Sequence, residues 1–158
     1  MANSPSSAPS TTPPAERLVV VLCGPPGAGK TTVARTSGLE VFDRDDPQWS
    51  GEAEFRRALR RLAEDPHARA VVIRSGATSS ARSAARRLVG ATHCYLLRVD
   101  ERTARERVQA RERGDKVHVL AGLPKWYADF DHADRVEGFP GWRTVLAGPQ
   151  VGPRSRSW

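Results

Sequence analysis

The chain has 158 residues, 39% of them hydrophobic and 27% charged, a composition that suits one soluble globular domain with a full core. It has no apolar run near the ~18 residues of a membrane span, and its two cysteines, Cys23 and Cys94, show neither metal-ligand spacing nor a disulfide framework. The net charge of +7 would suit a polyanionic partner, but Lys30, Lys116 and Lys125 are the three lysines and the other 22 basic residues are arginine, a skew that fits either a coding bias or a charge with a function.

Residues 1–16 are rich in Pro, Ser, Ala and Thr and lack both a basic start and an apolar stretch, which predicts a disordered leader rather than a secretory signal, and a cytoplasmic protein. The domain is expected over 17–148 and a loose tail over 149–158. Leu18 to Gly24 is a β-branched run ending in glycine, as in a strand buried on both faces. A short helix follows over Lys30–Thr36, then a strand over 39–43. Phe55, Leu59 and Leu62 recur at helical spacing within 51–65. A third strand is predicted over 70–75, a helix over 79–90 capped by Ser79 or Ser80 and stopped by Gly90, and a fourth strand over 92–99. Both cysteines fall in strands, as small buried hydrophobes. A very polar helix over 101–113, a weaker helical segment over 118–132 and a short last strand over 142–148 complete the pattern. Alternation of strands with helices predicts an α/β fold with a parallel sheet of four to five strands.

Gly24, Pro25, Pro26, Gly27, Ala28, Gly29, Lys30 and Thr31, with Thr32 behind them, satisfy the phosphate-binding pattern G-x-x-x-x-G-K-[ST] between a buried strand and a helix. Backbone amides and the helix start would face the phosphates, Lys30 would reach the β- and γ-phosphates, and the Thr31 hydroxyl would ligate Mg²⁺. The motif predicts a nucleoside triphosphate, ATP or GTP, with Mg²⁺; the bland alternative is an unliganded glycine-rich turn.

Asp43-Arg44-Asp45-Asp46 ends the second strand. A carboxylate there can accept a proton from an attacking hydroxyl or orient it; the alternative is a solvated acidic turn closed by Pro47. The third strand ends in Arg74-Ser75 where many P-loop proteins carry a metal-holding acid, so either Asp43 or Asp45 serves the metal, or the site is degenerate. Arg74 points into the cleft or is a surface charge. Arg107 and Arg111 are four apart on one predicted helix face, and Arg113 precedes Gly114. They form a phosphate-facing cluster or a solvated helix paired with Glu101 and Glu106. Trp126, Tyr127 and Phe130 read as core packing before substrate stacking, and no metal or catalytic role is assigned to His67, His93, His118 or His132.

The P-loop, the Phe42–Asp46 segment, the arginine helix and the Val136-Glu137-Gly138-Phe139 turn together resemble P-loop kinases of the polynucleotide-kinase-like and small nucleotide-kinase group, over about residues 18–147. The resemblance implies a P-loop three-layer sandwich with sheet order 2-3-1-4-5 and an arginine-rich lid. It implies ATP–Mg²⁺-dependent phosphoryl transfer to a hydroxyl: a nucleic-acid 5′-hydroxyl, a nucleotide or a small alcohol. By the same resemblance Asp45 acts on the acceptor and Arg107, Arg111 and Arg113 close over the triphosphate. The family's asparagine is Asp43 here, and Gln48-Trp49 stand where an arginine usually follows the acid pair. An ATPase or nucleotide-dependent switch, and a non-catalytic nucleic-acid binder with a nucleotide pocket, are the competing readings. No membrane partner is expected, and the sequence leaves oligomeric state open.

Overall fold

A computed structural model describes residues 16–111 and 114–148. The expected tail, all of the expected leader but Glu16, and Arg113 lie outside the described residues. Five strands and six helices follow one another: β1 (Leu18–Cys23), α1 (Lys30–Arg35), β2 (Glu40–Phe42), α2 (Glu52–Glu64), β3 (Arg69–Arg74), α3 (Ser79–Val89), β4 (His93–Leu96), α4 (Glu101–Gln109), α5 (Lys116–Asp129), β5 (Glu137–Gly138) and α6 (Trp142–Leu146). The strands form one sheet in the order β2-β3-β1-β4-β5, all parallel. This is the expected α/β architecture, with β1, the strand that leads into the glycine-rich motif, in the middle.

The β1 run is apolar throughout because both of its faces are covered. Val19, Val21 and Cys23 pack with Phe55 and Leu59 of α2, Ala85 and Val89 of α3 and Trp126 of α5. Val20 and Leu22 face the other way, onto Ala34 of α1 and Val145 of α6. The two-residue period of a strand thus divides one sequence between two core layers. Phe55 is fully buried, and its truncation to alanine would cost about 3–5 kcal/mol. Arg17, just before β1, donates to the carbonyls of Leu62 and Asp65 at the end of α2 and of Val89 and Gly90 at the end of α3. One cation so satisfies the carboxyl ends of two neighbouring helices.

Three elements differ from the sequence expectation. Residues 142–146 form α6, and the fifth strand is Glu137–Gly138 instead. Pro140 supplies no N–H for a ladder and Gly141 turns the chain at φ 101°. Trp142 and Val145, three apart, then cover the α1 side of the sheet, and the Trp142 indole donates to the Val33 carbonyl at 2.7 Å. The α3 cap is Thr78, whose hydroxyl accepts from Ala81 N. Helix α4 stops at Gln109, so Arg111 lies beyond it and does not share a helical face with Arg107.

Candidate active site

The cradle is built at the carboxyl end of β1. Gly27 has φ 80°, and a side chain there would bring its Cβ within 2.5 Å of the Ala104 carbonyl on α4. Glycine is therefore required twice over, by conformation and by the close approach of α4. Arg107 of α4 donates to the carbonyls of Gly27 and Ala28 at 3.3 and 3.5 Å. Lys30 opens α1, and its ammonium donates to the carbonyls of Gly24 and Pro25. Burial pulls the Lys30 pKa down from 10.5 to about 8, so the lysine sits in a place that would welcome a compensating anion.

A cavity of about 510 Å³ opens over this loop. It is lined by Pro25, Pro26, Gly27, Ala28, Gly29, Lys30, Thr31 and Thr32, and by Asp43, Arg44 and Asp45 from the turn after β2. Ile73, Arg74 and Ser75 line it from the end of β3, and Arg111, Asp115 and Val119 from the α4–α5 connection and α5. Gly24 lies at its root, with its N–H on the Ser75 carbonyl at 3.2 Å.

The acids divide their work by geometry. Asp43 Oδ2 accepts the Thr31 hydroxyl at 2.8 Å, while its Oδ1 accepts the Asp45 N–H at 3.0 Å. Asp46 accepts the Gln48 N–H at 3.1 Å and closes the turn. Asp45 is exposed at the cavity wall, and its carboxylate makes no hydrogen bond among the described residues. Thr31 and Asp43 present oxygen donors side by side, the donor chemistry that Mg²⁺ prefers. Among the described residues there is no group of three or more His, Cys, Asp or Glu that could hold a metal ion. Of the arginines expected at the lid, Arg111 faces this cavity, while Arg107 lines a second cavity on the other side of Pro25.

Arg82 escaped the sequence reading. It is fully buried in α3 and uses its whole guanidinium. Nε and Nη2 donate to the two carboxylate oxygens of Asp134 at 2.9 and 2.8 Å, Nη1 to the carbonyls of Gly76 and Ala77 at 2.7 and 3.0 Å, and Nη2 also to the Asp131 carbonyl. The cation stands 5.3 Å from the centroid of the Phe130 ring. Its bonds to Asp134 raise its own pKa and lower that of the aspartate. Asp131 is held at about 2, chiefly by the Ser79 N–H at the start of α3. Gly76, at φ 55°, has no room for a Cβ, which would fall 2.4 Å from Cys23 Sγ. Arg82 thereby fixes the loop whose Ser75 carbonyl receives both Gly24 N and the Trp126 indole at 2.9 Å. The sequence signal was an arginine at 82 in line with Ala85 and Val89, on the apolar stripe of the helix.

No protein-family model matches the chain, and no curated protein matches it in sequence. Solved structures do. A gluconokinase from Sinorhizobium meliloti 1021 aligns over 82% of this chain and 87% of its own, with TM-score 0.53 and 18% identity. A sugar kinase from Janibacter sp. HTCC2649, unliganded, aligns over 83% and 91%, with TM-score 0.56 and 20% identity. At these identities the likeness is one of architecture, and with the sheet order β2-β3-β1-β4-β5 around the cradle, the chain has the P-loop kinase fold.

Proposed function

We propose that this protein is a kinase that transfers the γ-phosphoryl group of ATP, with Mg²⁺, to a hydroxyl. The observation that carries the reading is the pairing of the Thr31 hydroxyl with Asp43 at 2.8 Å, beside an Asp45 carboxylate facing the same cavity. One acid is thus committed to the metal corner and the other is left for an acceptor. Backbone amides of Gly27–Thr31 and the Lys30 ammonium would hold the β- and γ-phosphates. Thr31 and Asp43 would hold Mg²⁺, directly or through water, and the ion would neutralise charge on the phosphates. Asp45 would accept the acceptor's proton as the new O–P bond forms and the bond from Pγ to the bridging oxygen breaks, with ADP leaving. Arg111, and Arg113 after it, would neutralise charge on the phosphoryl group in flight. Arg107, bonded to the P-loop carbonyls, would brace the cradle from behind.

The two kinases of like fold are described as a gluconokinase and a sugar kinase, which supports a small polyhydroxylated acceptor. The polynucleotide-kinase-like segment Phe42–Asp46 supports a 5′-hydroxyl of a nucleotide or nucleic acid. The test is transfer of labelled γ-phosphate with gluconate, hexoses, nucleosides, 5′-hydroxyl DNA, 5′-hydroxyl RNA and water offered in parallel. Labelled product on one alcohol class is the expected result. Release of phosphate to water alone would replace the kinase reading with that of an ATPase.

A further inference from the structure

The cavity behind the P-loop is separate from the one just assigned, and the proposed reaction leaves it without an occupant. It measures about 590 Å³, within the range of small-molecule sites. Leu96, Leu97 and Val99, at and beyond the end of β4, and Pro25 of the P-loop supply its apolar floor. Tyr127 and Phe130 of the α5 end, both half-buried, form an aromatic wall. That wall is held rigid. The Tyr127 hydroxyl donates to the Val99 carbonyl at 2.5 Å, and Phe130 stacks on Trp126 with centroids 5.3 Å apart and 20° between planes.

The rim is charged. Arg98 and Arg107 both line the opening, both are exposed, and neither has a carboxylate partner among the described residues. Asp100 is the acid at the rim, and both of its oxygens are engaged at the start of α4, by the Thr103 N–H at 2.8 Å and the Thr103 hydroxyl at 2.7 Å. Arg98 makes one long contact, 3.4 Å, to the His132 ring. Two planar cations over an apolar, ring-lined floor suit a planar ring carrying negative charge: the ring stacks and the guanidiniums take the anion.

We propose that this cavity is a second ligand site, for an aromatic group bearing an anion. The occupant is a separate aromatic anion bound beside the P-loop cavity, since a nucleobase carries no negative charge of its own for Arg98 and Arg107 to meet. The proposal stands on its own residues and does not need phosphoryl transfer to be correct.

Isothermal titration with indole-3-carboxylate tests it. Binding to the wild type is expected, with neutral indole and cyclohexanecarboxylate each about 10-fold or more weaker, since the first lacks the charge and the second the ring. Arg98→Glu, at an exposed position, should weaken indole-3-carboxylate about 10-fold or more. The variant should bind Mg²⁺–tripolyphosphate, which has no ring, as the wild type does; that control reports an intact cradle and fold. Titration of a non-hydrolysable ATP analogue with the cavity saturated by indole-3-carboxylate tests whether the nucleotide leaves this cavity free. Additive binding is expected, and competition seen for the analogue and not for tripolyphosphate would give the cavity to the nucleotide's base and overturn the proposal. No binding of indole-3-carboxylate at millimolar concentration, or equal binding by wild type and Arg98→Glu, overturns the proposal.

Discussion

The two cavities that meet at Pro25 are opposites. The P-loop cavity is walled by backbone amides, a lysine, aspartates and arginines, most of them from two short contiguous stretches, 25–32 and 43–45. The cavity behind it is walled by leucines and a valine from the end of β4 and the residues after it, and by aromatic rings from the end of α5. The first offers charge and backbone geometry to a ligand, the second shape and apolar area with charge confined to its rim. Phosphate chemistry needs a preorganised polar site, and a site for a ring needs only a rigid slot with a few polar groups at its edge.

The largest effect that would divide the two cavities lies at Asp45. Asp45→Asn keeps size and hydrogen bonding but cannot take a proton, so turnover should drop about 10²–10⁴-fold, with indole-3-carboxylate bound as before. Nucleotide titrations with and without Mg²⁺ refine the outcome. Should the mutant lose metal-dependent affinity as well, Asp45 joins Thr31 and Asp43 at the proposed metal site, and if neither property moves, it is a turn residue.

Arg82 bears on both cavities, because it fixes Phe130 on one side and Ser75–Ala77 on the other. Arg82→Ala strands the Asp134 carboxylate and two loop carbonyls, and denaturant unfolding should show a loss of about 3–5 kcal/mol. A loss below about 1 kcal/mol, the range of a surface pair, would mean that the loop is held by other contacts.

Arg111→Ala should act on the P-loop cavity alone. A loss of about 10²–10³-fold in kcat with little change in nucleotide affinity is the expected split, since charge on the transferred group is greatest in the transition state. Equal turnover in mutant and wild type would make Arg111 a solvated charge at the cavity mouth.

The smallest effect is a pH slope shared by the wall between the cavities. Asp131 ionises at about 2 in the folded chain against an ordinary 3.8, so the unfolded chain takes up this proton first as the solution is acidified. Its contribution to stability is complete above about pH 4 and is lost as pH falls toward 2. Asp131→Asn should therefore flatten stability against pH between about 4 and 2, measured by thermal unfolding, while leaving the slope above pH 5 unchanged. A mutant with the wild-type slope would show that Asp131 keeps its ordinary pKa.

Local rules carried much of this structure. A continuous β-branched run, a glycine-rich turn and a helix start are all contiguous, and each is stabilised by neighbours in the chain, so β1, the P-loop and α1 were legible at once, and the parallel sheet followed from alternation. The Asp43 turn was legible for the same reason, but its bond to Thr31 was not: residues 31 and 43 meet only because β1 and β2 flank β3 in one sheet. Tertiary packing decided that residues 142–146 form α6, because Trp142 and Val145 meet the α1 side of the sheet while β4 pairs only Glu137 and Gly138. It decided that α4 stops short and sends Arg107 and Arg111 to different cavities. It also turned Arg82, by sequence one more arginine in an arginine-rich chain, into the buried hub of the site's rear wall, since only the fold brings Asp134 and the carbonyls of Gly76, Ala77 and Asp131 around it. Period and motif are properties of neighbouring residues, whereas the partner of a buried charge is set by how distant segments pack.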